Sequence, residues 1–187
     1  MCSFIFAINA SSGGGKTTIT RELEKKLQNS KALFFDDRNY DSDSGIEDIP
    51  EWVENGADVN LWNLKRFAED IDKLIEVKTD FIILDYPFGY KHELIGPYLN
   101  YSIFIDTPLD VAMARRILRD FDEKIIKNIK DVLDDMENYL KNGRKAYLYG
   151  IESAKIDSDF IVDGTLTLEK IVECISDKIK EINIKKK

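Results

Sequence analysis

The chain has 187 residues, and its 35 acidic side chains outnumber 27 lysines and arginines to give a formal net charge of −8. That length suits one domain with a sizeable buried core, and the acidic balance speaks against a nucleic-acid or anionic-membrane binder, since both need a basic face. No apolar run approaches the ~20 residues of a membrane span, and Met1-Cys2-Ser3-Phe4 lacks the basic start of a secretory signal, so a cytoplasmic placement is expected.

Taken in order, Phe4–Asn9 reads as a strand, followed by a Ser/Gly-rich loop and a helix over about 16–28 that Asn29-Ser30 ends. A second strand over 32–35 closes on Asp36-Asp37. A long polar stretch over 38–60 leads to a helix near 61–76. A third strand, 81–84, ends on Asp85, and a fourth, 102–105, ends on Asp106. Between them, His92 is the sole histidine and is expected at the surface. Thr107-Pro108 reads as a helix N-cap with proline at the first helical position, and Asp110 falls in the first turn. Helical stretches near 109–119 and 123–141, a short strand at 160–162 leading to Gly164, and a last helix over 168–182 complete the chain. Strands alternating with helices predict a parallel sheet covered on both faces. Cys2 and Cys174 stand far apart in sequence and suit a reducing compartment.

The loop carries the most chemistry. Ala10-Ser11-Ser12-Gly13-Gly14-Gly15-Lys16-Thr17-Thr18 meets the pattern Gly-x4-Gly-Lys-[Ser/Thr] except where Ala10 replaces the first glycine. Its strand–loop–helix setting is the one a phosphate cradle requires. Glycines let successive N–H groups turn inward on phosphate oxygens, and the helix that follows offers them the positive end of its dipole. Ser12, Gly13, Gly14, Gly15, Lys16, Thr17 and Thr18 are therefore the expected nucleotide contacts, with Lys16 on the terminal phosphates and the Thr17 hydroxyl on Mg²⁺.

In open parallel sheets ligands lie beyond the C-terminal ends of the strands. Asp36-Asp37, Asp85 and Asp106 all sit at such ends, and with Lys16 and Thr17 they describe a nucleotide–metal site. Asp85 closes an apolar strand and is the expected second Mg²⁺ ligand, with a turn aspartate before Pro87 as its alternative. Phosphoryl transfer to an alcohol needs a carboxylate to orient the hydroxyl and take its proton. Asp36 is the first choice and Asp37 the second. Arg115, Arg116 and Arg119 share a helix ridge and read either as a phosphate clamp or as a solvated face paired with Asp110, Asp120 and Asp122. Trp52 and Trp62, with Tyr40 nearby, would stack on a flat acceptor ring or serve as packing.

These residues resemble the uridine kinase and nicotinamide riboside kinase branch of the small P-loop kinases. The likeness rests on Ser12–Thr18, on the Asp36-Asp37-x-x-Tyr40 block, and on Ile103-Phe104-Ile105-Asp106-Thr107-Pro108 followed by Ala114-Arg115-Arg116-Ile117-Leu118-Arg119-Asp120. Asp159-Phe160-Ile161-Val162-Asp163-Gly164 extends it toward the C-terminus. The resemblance implies a single α/β domain of the P-loop NTPase class. Its sheet would be five-stranded and parallel in the order 2-3-1-4-5 within a three-layer α/β/α sandwich, with a helical lid over about 115–145. It also implies ATP and Mg²⁺ as cofactors, Asp36 as base, and Arg116 and Arg119 on the lid helix. Asp37, Tyr40, Trp52 and Asp58 would then face the acceptor. Asp85 stands where the branch commonly has Glu. Two departures are plain: Phe121-Asp122-Glu123-Lys124 replaces an expected Arg-Gly-Arg, leaving Lys124, Arg144 or Lys145 as substitutes, and Trp52-Val53-Glu54-Asn55-Gly56-Ala57-Asp58 lacks the His-Pro-Asp pattern of uridine kinases.

The expected activity is ATP-dependent phosphorylation of a hydroxyl on a small molecule, a nucleoside or related ribosyl or sugar compound. The alternatives are a nucleoside monophosphate kinase, against which the 38–60 segment offers only Arg38, and a regulatory nucleotide binder without a small acceptor. The expected partner is the small-molecule acceptor, with neither nucleic acid nor membrane, and a homo-oligomer is left open.

Overall fold

A computed structural model describes residues 3–36, 46, 49–121 and 129–185. The strands β1 (Phe4–Asn9), β2 (Ser30–Phe34), β3 (Phe81–Asp85), β4 (Tyr101–Asp106) and β5 (Phe160–Asp163) form one parallel sheet in the order β2-β3-β1-β4-β5. The helices are α1 (Lys16–Lys26), α2 (Ile49–Glu54), α3 (Lys65–Glu76), α4 (Leu109–Asp120), α5 (Ile129–Asn138), α6 (Arg144–Ile156) and α7 (Leu168–Lys185).

Central β1 is buried at every residue, which is why it reads as a continuous apolar run rather than an alternation. On one face, Ile19 and Leu23 of α1 and Ile171, Ile175 and Ile179 of α7 meet Phe4, Phe6 and Ile8. On the other, Phe67, Ala68 and Ile71 of α3 meet Ile5, Ala7, Ile82 and Leu84. Each fully buried Leu, Ile or Phe side chain contributes roughly 1.5–3 kcal/mol, so these two layers fix the sheet. Neither α5 nor α6 fully buries a described residue, and polar ties must place them. The result is a three-layer α/β/α sandwich.

Strand register brings the chemistry to one edge. Ile8 and Phe34 are both level with Asp85, and Asn9 is level with Phe104. The residues that follow β1 and β2 therefore emerge beside the end of β3.

Four expectations need correction. The helix expected from residue 61 starts at Lys65; Val59–Leu61 is a separate 3₁₀ turn, because the Asp58 carboxylate accepts from Asn60 N at 2.9 Å and closes it. The polar 38–60 stretch contains α2. The stretch after 120 is not one helix to 141 and then a loop. Among the described residues it runs from Ile129 through a π turn, Tyr139–Gly143, straight into α6. Finally, Thr107 is not the cap of α4. Pro108 holds the cap position, and the Thr107 hydroxyl instead donates to the Gly14 carbonyl oxygen at 2.9 Å.

Gly164 lies directly against that hydroxyl, and a Cβ there would run into Thr107 Oγ1 and approach its Cα and Cβ at 2.9 Å. Gly164→Ala should cost about 1–3 kcal/mol through overpacking, read as a lower urea midpoint with an unchanged slope. A midpoint shift worth less than about 0.5 kcal/mol would show that Thr107 is free to move aside.

Candidate active site

The loop between β1 and α1 is shaped by its glycines. Gly13 and Gly15 have φ of 81° and 95°, a region L side chains rarely adopt. Gly13 is also pressed on α4, where a Cβ would strike the Ala112 carbonyl oxygen. Ala10 is tolerated at the first motif position because Gly14 leaves it room: a Cβ on Gly14 would stand 2.8 Å from the Ala10 methyl. Gly14 N donates to Ser11 O at 2.8 Å, and Thr107 holds the Gly14 carbonyl from the other side. The backbone is thus clamped between α4 and the end of β4.

Lys16 and Thr17 open α1 and reach the end of β3 together. Lys16 Nζ pairs with Asp85 Oδ1 and stands 3.5 Å from Asp36 Oδ2, while Thr17 Oγ1 donates to Asp85 Oδ2 at 2.7 Å. Asp85 is 1% exposed, so its charge depends on these two partners. The Asp36 side chain is 74% exposed and stands beside Lys16 at the rim. Of the acidic strand ends, Asp85 and Asp36 converge on Lys16. Asp106 does not: it pairs with Lys155 at 2.7 Å.

The arginines divide. Arg116 is forked by Asp135 of α5. Arg119 donates to Asp120, one of the aspartates of the solvated alternative, through Nε at 2.6 Å and Nη2 at 3.1 Å. That bond raises the guanidinium above its usual range, with the nearby Asp36 charge adding to it, and holds the Asp120 carboxyl below the usual carboxylate range. Ser11 Oγ and Arg116 Nε are buried without a hydrogen-bond partner among the described residues. Such groups carry a desolvation cost of about 1–3 kcal/mol each; Ser11 belongs to the loop, and Arg116 Cβ lies 3.3 Å from where a Cβ on Gly13 would stand. The donor set fits a phosphate, and the Thr17 hydroxyl beside the Asp85 carboxylate is a hard-oxygen pair that fits Mg²⁺.

Beside the loop lies a cleft of about 1000 Å³. Asn9, Ala10, Ser11 and Phe104 form its inner end, Trp52, Asp58 and Phe88 one wall, and Tyr139, Tyr147 and Tyr149 the wall supplied by the α5–α6 arm. Asp36 is not among the lining residues. Trp52 Nε1 donates to Asp58 O at 2.8 Å, and its ring meets Trp62 edge-on at 5.9 Å. Phe35, Phe88 and Trp62 pack behind it in edge-on and tilted contacts. Asp37 and Tyr40 lie outside the described residues.

His92 is not at the surface, as expected from sequence, but 4% exposed. Its Nε2 is 3.0 Å from Trp62 O and its Nδ1 accepts from Leu94 N at 3.2 Å, which fixes the neutral tautomer with the proton on Nε2. It braces the aromatic wall. The arm is tied down by Lys91, which reaches Asp157 Oδ2 at 3.1 Å and also Ser153 Oγ, and by the Lys155–Asp106 pair. Sequence reasoning missed Thr107, Lys91, Asp135 and the tyrosines of the arm. Asn9, a buried polar residue ending an apolar strand, donates to Pro87 O at 2.7 Å beside the loop.

No protein-family model matches the chain. It is similar to curated uridine kinases: that of Halobacterium salinarum is 25% identical, with 86% of this chain and 80% of the relative covered, and that of Staphylococcus aureus (strain Newman) is 26% identical, with 95% and 96% covered. Among solved structures, a deoxyadenosine kinase from M. mycoides aligns with a TM-score of 0.55 and 18% identity over 95% of this chain and 100% of that one. A shikimate kinase from Acinetobacter baumannii aligns with a TM-score of 0.56 and 15% identity over 100% and 96%. The fold is that of the P-loop kinases, and the chain resembles uridine kinases over most of its length.

In the ligand-free protein, a double-mutant cycle of Lys16→Met and Asp85→Asn should return a coupling of about 1–3 kcal/mol, because the pair is buried. Additive single effects would show that Thr17 alone holds the carboxylate.

Proposed function

We propose that this chain is an ATP-dependent kinase that transfers the γ-phosphoryl group to a hydroxyl of a small, uncharged, ring-bearing acceptor, a nucleoside or related ribosyl or sugar compound. The carrying observation is the meeting of Lys16, Thr17 and Asp85 at the mouth of a glycine loop, with Asp36 3.5 Å from Lys16 Nζ. Supporting it are the similarity to curated uridine kinases and the cleft that abuts the loop at Ala10 and Ser11.

The residues divide the work. Loop N–H groups and the start of α1 bind the phosphates, and Lys16 swings from Asp85 to the terminal oxygens. Thr17 and Asp85 would hold Mg²⁺, which supplies neutralisation of charge between the phosphates. On this reading Asp36, exposed beside Lys16, accepts the hydroxyl proton at the rim. Trp52 and Phe88 offer apolar rings to the acceptor, and the arm excludes water above it. A cytosolic setting and a single domain whose lid spans about 115–145 accompany this reading.

The charges of the cleft favour an uncharged acceptor over a nucleoside monophosphate. Of the four lysines and arginines lining it, Lys91, Arg116 and Lys141 each have a carboxylate partner, Asp157, Asp135 and Glu137, while Lys145 has no ion pair among the described residues. A phosphate on the acceptor would meet cations most of which are already neutralised.

The test is ADP release with nucleosides, sugars and vitamins, each against a control without acceptor. Asp36→Asn should lower acceptor-dependent release by about 10²–10⁴-fold and leave Mg-ATP affinity within a few fold; equal loss of ATP binding would show that Asp36 holds nucleotide instead. Trp52→Ala should raise the acceptor KM about tenfold, the order of a lost ring contact, with Mg-ATP affinity unchanged. A KM that stays put would confine Trp52 to packing.

A further inference from the structure

Arg116 differs from the other cations of the site in how it is held. Its Cβ lies over Gly13, within 3.3 Å of where a side-chain carbon would stand, and its side chain is 16% exposed. Asp135 occupies the guanidinium fork: Nη1 donates to Oδ1 at 3.4 Å, and Nη2 pairs with Oδ2. Nη2 also approaches Met113 Sδ at 3.6 Å, and Nε is buried without an acceptor among the described residues. A guanidinium grips phosphate through two parallel N–H bonds. On Arg116, the face that would do so is filled by a carboxylate of like charge and similar shape.

That carboxylate is carried by a lightly anchored support. Asp135 belongs to α5, which fully buries none of its described residues and runs on into the π turn. Asp135 and Tyr139 both line the cleft. A displacement of the arm against a cleft occupant is therefore transmitted to the Arg116 fork. π turns within helices are rare and concentrate at functional sites. This one lies next to the ion pair.

We propose that Asp135 is a positioning residue that keeps the Arg116 fork off the nucleotide phosphates until the arm shifts against an occupied cleft. The proposal rests on the nucleotide reading above and adds to it a coupling between acceptor occupancy and charge stabilisation. Its consequence is suppression of the futile reaction. In that reaction a water oxygen bonds to the γ-phosphorus and the bond to the β,γ-bridging oxygen breaks. ADP keeps the electron pair, and the water proton passes to solvent.

The experiment needs no acceptor. Wild type, Asp135→Asn and Asp135→Glu are compared by calorimetry with Mg-ATP and by ADP release in buffer alone, with melting curves as the check on folding. Asp135→Asn should tighten Mg-ATP binding and speed acceptor-free ADP release, each by about fivefold, the order expected when one charge-assisted fork is released. Asp135→Glu should stay near wild type. In an Arg116→Lys background, which keeps the charge and removes the fork, Asp135→Asn should change neither quantity. If Asp135→Asn binds no tighter and hydrolyses no faster, or if both fall, Asp135 does not restrain Arg116 and the proposal is overturned. Persistence of the effect in the Arg116→Lys background overturns it too. Wild-type protein that shows no Mg-ATP binding sinks the nucleotide reading itself, and this proposal with it. Wild-type binding without a gain in Asp135→Asn sinks the restraint alone.

Discussion

The buried carboxylate of Asp85 is the constraint on which the working edge depends. A carboxylate at 1% exposure is costly unless both oxygens are matched, and here one meets Lys16 Nζ and the other the Thr17 hydroxyl. Both partners come from the first turn of α1, so α1 must start level with the end of β3. That requires β3 to lie beside β1, as the Ile8–Asp85 register provides, and it requires a loop tight enough to enter the helix at once. The positive φ of Gly13 and Gly15 gives that loop. Strand order, glycine placement and helix start together keep this one charge satisfied.

What was legible in the sequence follows the same logic. β1, β3 and β4 are buried on both faces and stand out as apolar runs, and the loop announces itself by composition. The strand order came with the family resemblance, and the sheet has it. What failed to show was set by contacts distant in sequence. Thr107 carries the local signature of a cap, yet its hydroxyl is drawn to a carbonyl 93 residues away. His92 looks like a loop histidine until Trp62 O is placed against it. Asp106 resembles Asp85 as a strand end, but Lys155 from the arm claims it. In the arm, Gly143 and Gly150 lower the intrinsic helix propensity, yet a π turn absorbs the first and a Cβ on the second would meet open space.

The distribution of apolar surface sets the arm apart from the rest of the fold. Two cores clamp the sheet, and α3 places Phe67 and Ile71 deep in one of them. The α5–α6 arm has instead Leu133 at 55% exposure and Leu140 at 70%, and it is held by ion pairs at Arg116, Lys91 and Lys155. Partly exposed pairs of this kind contribute little each, on the order of 0–1 kcal/mol. Cleft walls built on the core are therefore more firmly anchored than the wall built on the arm, and on the proposed reading that asymmetry would serve to admit a substrate and then exclude water.

An acidic protein that binds a triphosphate faces a repulsion that a basic patch would remove. Here three of the cations are matched in advance: Lys16 with Asp85, Arg116 with Asp135, Arg119 with Asp120. A polyanion must exchange with these carboxylates rather than fill a positive hollow. The exchange at Lys16 has a definite requirement. Once Nζ turns to a phosphate, the buried Asp85 carboxylate keeps only the Thr17 hydroxyl, and a hydroxyl alone does not offset a charge removed from water. A second cation has to arrive with the nucleotide. The Thr17 and Asp85 oxygens, 2.7 Å apart, give it a place. On the nucleotide reading, metal and nucleotide binding are thus linked through one aspartate, and a metal-free triphosphate is opposed by the carboxylate it would strand.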